Sequence, residues 1–154
     1  MKMELIQPFI NATDAVLGQT LRCQARIGQV CMENEPYRRH GVAALVKVHG
    51  DIEGRIIFDL DRPTAKNIAT SLCGAEAESA EVMNETICEL ANLVIGNAVT
   101  NLNDHGFRFK VHPPELHSSD GMRSTEDSEA LVMRFETPSG DVFMNIEMRY
   151  AAKN

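Results

Sequence analysis

Apolar residues at steps of three and four predict three amphipathic helices along the chain. The first helix is predicted over residues 7–23, with Pro8 in its first turn, where the missing backbone N–H costs nothing. The second is predicted over residues 61–74. The third is much longer, over residues 79–104, and acidic side chains crowd its start, where the helix dipole favours anions.

Between the helices, β-prone runs bounded by turn residues predict six strands. They cover residues 26–32, 43–48, Ile52–Leu60, 107–111, 131–136 and 142–150. A Gly-Asp turn joins the second and third runs as a hairpin, and a Pro-Ser-Gly turn joins the last two. The polar stretch 117–129 is predicted as a loop.

The order of these elements predicts the fold class. A helix, three strands, a helix, the long helix and three more strands follow one another, and the two halves echo each other. We therefore predict an α+β fold, with a mostly antiparallel sheet of about six strands. Two long helices and one shorter helix pack on one face, in pseudo-two-fold halves. At 154 residues, the chain 1–154 is expected to form a single domain.

The long predicted helix has one apolar face and one polar face. The apolar face, which we expect in the core, holds Met83, Ile87, Leu90, Ala91, Val94, Ala98 and Leu102.

The polar face carries a row at steps of four, three and four residues: Glu85, Glu89, Asn92 and Gly96. A solvated face is the simplest interpretation of such a row. However, Asn and Gly are poor residues for a helix interior, so a purely solvated face would favour Lys, Glu or Ala here. Gly96 either lets the first helix pack closely or leaves room for a partner.

Charge and composition exclude several classes of function. The chain has 15 basic and 22 acidic side chains, a net charge of −7, which argues against nucleic-acid binding. No run of 18 apolar residues predicts a membrane span, and the first residues lack the apolar core of a secretion signal. We therefore expect a cytoplasmic protein that contacts no membrane.

The reactive side chains form no known metal or nucleophile motif. The four cysteines make no Cys-x-x-Cys pair, and we expect them to be reduced. Five histidines are scattered over loops and strand ends, so no metal site is predicted. Glycine-rich phosphate loops and serine-centred nucleophile motifs are also missing from the sequence.

The segment from Asn84 to Ala98 resembles the signature helix of the CheC/CheX chemotaxis phosphatases. That signature is Glu-x-x-Asn followed by a proline some twenty residues later, and here Glu89, Asn92 and Pro114 match it. Residues 8–13 and 50–54 also resemble CheX, so the likeness covers nearly the whole chain. One Glu-x-x-Asn pair per chain indicates the CheX branch, because CheC proteins usually carry two.

The sequence departs from the family pattern at one position. The family often has Asp or Ser four residues before the glutamate, and this chain has Glu85. The charge density beside the pair is therefore higher than in the family pattern. Glu85 and Gly96 remain predicted partner-binding positions.

The resemblance implies a phosphatase acting on the aspartyl phosphate of a CheY-like response regulator. Asn92 would orient the attacking water, because a neutral amide both donates and accepts hydrogen bonds. Glu89 would dock the regulator by pairing with its active-site lysine; the alternative role, general base, is less favoured for an exposed carboxylate. The chain itself would bind no cofactor, since the regulator holds the Mg²⁺.

The resemblance also implies a homodimer formed through an open sheet edge. Two other functions fit the same fold. The protein could be a non-catalytic module that docks a response regulator or a flagellar switch component. Alternatively, it could have an assembly role through its exposed edge strand.

Overall fold

The computed structural model describes residues 3–21, 26–33, 41–73, 79–117 and 130–151, which hold three helices and seven strands. The helices are α1 (Met3–Leu21), α2 (Arg62–Cys73) and α3 (Ala80–Asp104). The strands are β1 (Arg26–Glu33), β2 (Val42–Gly50), β3 (Ile52–Leu60), β4 (Phe109–Val111), β5 (Glu115–His117), β6 (Ala130–Thr137) and β7 (Gly140–Tyr150). No helix among these residues is long and apolar enough to cross a membrane.

All of the strand pairs are antiparallel. The order across the sheet is β1-β6-β7-β3-β2, and the outer side of β2 pairs with two short strands, β4 near its end and β5 near its start. Pro113 and Pro114 lie between these two short strands, and proline has no N–H to donate to a sheet. The predicted α+β fold is confirmed, including both hairpins, β2–β3 and β6–β7.

The three helices pack on the same face of the sheet. Alternate residues of β2, β3, β6 and β7 point toward the helices and form one buried cluster with them. In β2 these are Val42, Ala44, Val46 and Val48. Period-two alternation in the strands therefore meets the helical stripes in a single core.

Helix α1 begins earlier than predicted. It starts at Met3, so Pro8 lies inside the helix instead of in its first turn. A proline inside a helix costs about 3 kcal/mol. Leu5 and Ile6, ahead of the proline, are fully buried, and burying each such side chain contributes about 1.5–3 kcal/mol. The burial of this first turn offsets the proline, and that is why the helix extends past it. The predicted end at residues 22–23 lies outside the described residues.

The other helix starts agree with the prediction. The Asp61 carboxylate accepts the backbone N–H of Thr64 at 2.8 Å at the start of α2. Ser79 caps α3 by accepting the N–H of Val82 at 3.1 Å. The predicted stop of α2 at Gly74 lies outside the described residues.

The short strands differ from the prediction. The run predicted over 107–111 becomes the three-residue strand β4, and β5 was not predicted at all. A three-residue strand shows too little alternation to be read from sequence. His117 belongs to β5 and not to the predicted loop, and residues 118–129 of that loop lie outside the described residues.

Gly54 is required by the central pairing of β3 with β7. Its φ is +155°, at the edge of the region that favours glycine, and it lies opposite Met148. A Cβ placed on Gly54 would collide with the backbone carbonyl oxygen of Glu147. Backbone atoms of a central strand cannot move aside without breaking the ladder.

Two Gly→Ala substitutions should therefore have opposite effects on the free energy of unfolding. Gly54→Ala should destabilise the protein by more than about 1 kcal/mol, because its new methyl group meets backbone. Gly96→Ala on α3 should stabilise it by about 0.4–1 kcal/mol, because a Cβ there has no atom within 4 Å apart from its two chain neighbours and the nearby backbone of its own helix. Urea unfolding followed by circular dichroism measures both; equal effects would contradict this account.

Candidate functional site

Helix α3 presents the predicted polar row because its opposite face is held in the core. The buried residues of α3 are Thr86, Ile87, Leu90, Ala91, Val94, Ile95, Ala98 and Leu102. Two of these, Thr86 and Ile95, were not predicted, and the hydroxyl of Thr86 donates to the Val82 carbonyl at 2.8 Å. Met83 was predicted in the core but is only half-buried, near the start of the helix.

The four predicted site residues share one exposed surface. Glu85, Glu89, Asn92 and Gly96 are all exposed along α3. Within the described part of the chain, neither the Glu89 carboxylate nor the Asn92 amide has a hydrogen-bond or ion-pair partner. Both groups can therefore bind an incoming molecule without first breaking an internal contact. The structure brings together one carboxylate and one amide, a single helical turn apart.

Gly96 faces open space. Apart from its two chain neighbours and the nearby backbone of its own helix, no atom of the described residues lies within 4 Å of the position where its Cβ would be. The alternative in which Gly96 lets α1 pack closely is therefore wrong. A glycine inside a helix costs about 1 kcal/mol relative to alanine. The packing of α3 against the other described elements does not account for that cost.

A shallow depression continues from Asn92 toward the end of α3, and we call it the α3 depression. Its lining residues are Asn92, Leu93, Gly96, Asn97, Thr100, Asn101 and Asp104. The Thr100 hydroxyl donates to the Gly96 carbonyl at 3.0 Å, which satisfies the backbone at its floor. Leu93 is 43% exposed on this surface.

Sequence reasoning did not identify Leu93 as a site residue. It lies four residues after Glu89, so helical spacing places both on the same exposed surface. The predicted row included only residues that are polar or uncommon in a helix interior, and leucine is neither. The available signal was an apolar side chain among polar ones at helical spacing.

Charge is distributed unevenly along α3. Glu81, Glu85 and Glu89 are exposed in its first half, and the helix contains no lysine or arginine. After Glu89 the next charged residue is Asp104. The surface of α3 is therefore anionic in its first half and carries no charge from Leu90 to Asn103, and Asp104 lines the far end of the α3 depression. An anionic surface attracts a cationic partner over a distance set by salt.

Cys88 lies directly before Glu89 in the chain. It is a half-buried free thiol, and burial raises its pKa. A raised pKa keeps the thiol protonated at neutral pH, and the protonated form is a poor nucleophile. Cys88 is therefore not a candidate for covalent chemistry beside the pair.

Helix α1 does not repeat the arrangement of α3. Asn11 and Asp14 are exposed, but the side-chain oxygen of Asn11 accepts a hydrogen bond from the Gln7 amide at 2.9 Å. The amide on α1 is thus engaged inside the chain, unlike Asn92. The engaged amide on α1 agrees with the prediction of a single Glu-x-x-Asn pair, which lies on α3.

The proline of the signature lies on another element, in the segment between β4 and β5. Pro114 is half-buried directly before β5, and His112 is exposed between β4 and the prolines. In the part of the chain that the structure describes, no three His, Cys, Asp or Glu side chains are grouped so that they could hold a metal ion.

Comparison with solved structures finds close relatives in fold. CheX from Borrelia burgdorferi, in a complex with CheY, BeF₃ and Mg²⁺, is 31% identical over 96% of this chain and 99% of that chain, with a TM-score of 0.78. A CheC-like superfamily protein from Shewanella sp. PV-4 is 21% identical over 97% of this chain and 99% of that chain, with a TM-score of 0.85.

A third structure, the chemotaxis protein CheX from Desulfovibrio desulfuricans, is 22% identical over 95% of this chain and 99% of that chain, with a TM-score of 0.83. The comparison with curated proteins returns no match. The family model described as chemotaxis phosphatase CheX matches residues 42–136, which is more than half of the chain and includes all of α3. On this match and on the Borrelia relative, the chain belongs to the CheX family of chemotaxis phosphatases.

Proposed function

We propose that this protein hydrolyses the aspartyl phosphate of a CheY-like response regulator. The observation that carries the proposal is the exposed pair Glu89 and Asn92, whose side chains have no partner within the described residues. Family membership supports a phosphatase, and the Borrelia relative was solved in a complex with CheY. The mechanism below follows from the chemistry of the two side chains.

The substrate needs little activation. An acyl phosphate is already reactive, and the Mg²⁺ held by the regulator's own carboxylates neutralises charge on the phosphoryl oxygens. Hydrolysis requires a water placed in line with the P–O bond to the aspartate. The water oxygen bonds to phosphorus as that bond breaks. The products are inorganic phosphate and the free aspartate carboxylate, with the water's protons passing to phosphate and solvent.

Asn92 is proposed to hold this water. Its amide oxygen accepts a hydrogen bond from the water and its NH₂ group donates to other acceptors nearby, so a single side chain can fix the water's direction. The amide adds no negative charge beside an anionic phosphoryl group. Placement contributes strongly, because a misplacement of about 1 Å can cost about 100-fold in rate.

Glu89 is proposed to dock the regulator. It lies one turn before Asn92, and its free carboxylate can pair with a lysine ammonium beside the phosphoryl site. Glu85 extends the anionic surface by one more turn. An exposed carboxylate is a weak base, which disfavours Glu89 as the group that deprotonates the water.

We also propose a cytoplasmic homodimer that pairs through β1. Among the described strands, β1 pairs only with β6, so no described strand covers its outer edge. With eight residues, β1 offers more backbone pairing than β4 or β5, with three each. Light scattering should give twice the 17.1 kDa chain mass, and a single-chain mass would contradict the dimer.

The Asn92→Ala variant should lose most of the stimulated hydrolysis, about 100-fold or more, because the water is no longer held. Loss of phosphate from Mg²⁺-loaded, phosphorylated regulators of the same cell measures this, with no added protein as the baseline. Its melting temperature should stay near that of the wild type, because the side chain is exposed and has no hydrogen-bond partner among the described residues.

Asn11→Ala is the matched control, since it removes an exposed asparagine from α1 and should keep full activity. Wild-type turnover by Asn92→Ala would show that the water-orienting role is wrong. If the wild type accelerates hydrolysis of no regulator, the protein is a docking module and not a phosphatase.

Glu89→Gln should weaken regulator binding by roughly 5- to 30-fold, because it removes the charge and keeps the shape. The loss should appear in KM and should shrink as salt is raised, since salt screens the pairing in the wild type. Glu85→Gln, one turn further from Asn92, should weaken binding less. Asp14→Asn removes an exposed carboxylate from α1 and serves as the control for net charge. A variant that lowers only kcat would contradict the docking role.

A further inference from the structure

Leu93 is a large apolar side chain in the middle of an otherwise polar helix surface. Single exposed leucines are common on proteins, so its 43% exposure means little alone. Its position relative to the predicted site residues distinguishes it from other exposed leucines. Leu93 follows Asn92 directly, lies one turn after Glu89, and borders the open space left by Gly96.

The α3 depression beside Leu93 is suited to an uncharged group. Gly96 contributes no side chain, and its carbonyl is already satisfied by the Thr100 hydroxyl at 3.0 Å. A partner side chain that covers Gly96 would therefore not leave the Gly96 carbonyl without a hydrogen bond. Leu93 supplies an apolar wall, and Asn97 and Thr100 supply neutral ones. No charged residue occurs on α3 between Glu89 and Asp104. Asp104 lines the far end of the depression, about 12 Å along the helix from Gly96, so the part beside Leu93 and Gly96 is neutral.

The depression also falls within reach of any regulator that delivers its phosphoryl group to Asn92. A standard protein interface covers about 800 Å² on each partner, which is roughly 30 Å across. Along a helix, Thr100 is only about 12 Å from Asn92, at about 1.5 Å per residue. A partner centred on Asn92 would therefore cover the depression as well as Glu85.

We propose that Leu93 and the open space at Gly96 form the apolar half of the regulator-docking surface. An uncharged, apolar side chain of the regulator packs against Leu93 and enters the space at Gly96, while the regulator's cationic group pairs with Glu89. The two contacts lie on opposite sides of Asn92 along the helix and fix the regulator's direction on α3. This inference rests on the proposed function and adds a second contact to it.

The test measures binding of a Mg²⁺-loaded, beryllofluoride-activated regulator whose dephosphorylation the wild type stimulates. Leu93→Ala should weaken binding by roughly 5- to 30-fold, the range expected for an interface anchor. The loss should persist at high salt, unlike that of Glu89→Gln, because an apolar contact is not screened. In steady-state hydrolysis it should raise KM and leave kcat unchanged.

Two further variants make the test specific. Leu72→Ala removes a leucine of similar exposure, 38%, from α2 and should bind like the wild type. Gly96→Ala should also weaken binding although its fold is intact, because the methyl group occupies the space that the regulator enters. Weaker binding by both Leu93→Ala and Gly96→Ala, with Leu72→Ala unchanged, supports the proposal.

The outcomes that overturn the inference differ from those that overturn the proposed function. If Leu93→Ala binds like Leu72→Ala while Asn92→Ala still loses hydrolysis, the phosphatase stands and the apolar contact is wrong. If Leu93→Ala changes the mass of the protein in solution and not its affinity for the regulator, Leu93 contacts a second copy of the chain. If the wild type neither binds nor dephosphorylates any regulator, both proposals fail.

Discussion

Burial of the apolar stripe of α3 against the sheet is the constraint on which the rest of the structure depends. Ile87, Leu90, Val94, Ala98 and Leu102 lie in the same core cluster as the inward residues of the central strands. Burial of each large side chain contributes about 1.5–3 kcal/mol, so the helix cannot rotate about its axis without exposing several of them at once. The direction of Glu89 and Asn92 is fixed by residues that never contact a partner.

That arrangement separates stability from function within one helix. The exposed surface carries a glycine and an asparagine in a helix interior, both of which cost free energy. Among the described residues, no packing against Gly96 and no hydrogen bond to the Asn92 amide accounts for this cost. The proposed mechanism uses the free groups on this surface: a carboxylate for docking, an amide for the water, and the neutral part of the α3 depression for shape. The strongly charged parts of the chemistry, Mg²⁺ and the phosphoryl group, would belong to the regulator, so this chain needs only to position groups.

The sequence predicted most of the fold because its patterns are long. The 25 residues of α3, both hairpins and the starts of α2 and α3 were identified correctly, and the structure adds that Asp61 and Ser79 cap those starts. The start of α1 was not, because tertiary burial of Leu5 and Ile6 outweighs a proline that marks a helix start locally. Strand β5 was missed because it has only three residues and is defined by its pairing with β2.

For the site, spacing alone identified the exposed row, and the resemblance supplied the roles of Glu89 and Asn92. Spacing could not decide whether α1 packs closely against Gly96 or leaves open space there, because that depends on the position of α1. It also passed over Leu93, whose residue type favours the core in any helix. Only three-dimensional neighbours show that Gly96 faces open space and that Leu93 borders it.

The prolines between β4 and β5 have a consequence for growth of the sheet into larger assemblies. An open β edge can recruit further strands without limit, as in fibrils. Here one side of the described sheet ends in two three-residue strands separated by Pro113 and Pro114. This edge offers an incoming strand few consecutive backbone N–H donors. If two chains pair through β1, each uses its one long edge, and the joined sheet ends at prolines on both sides. In such a dimer, polymerisation would stop at two chains.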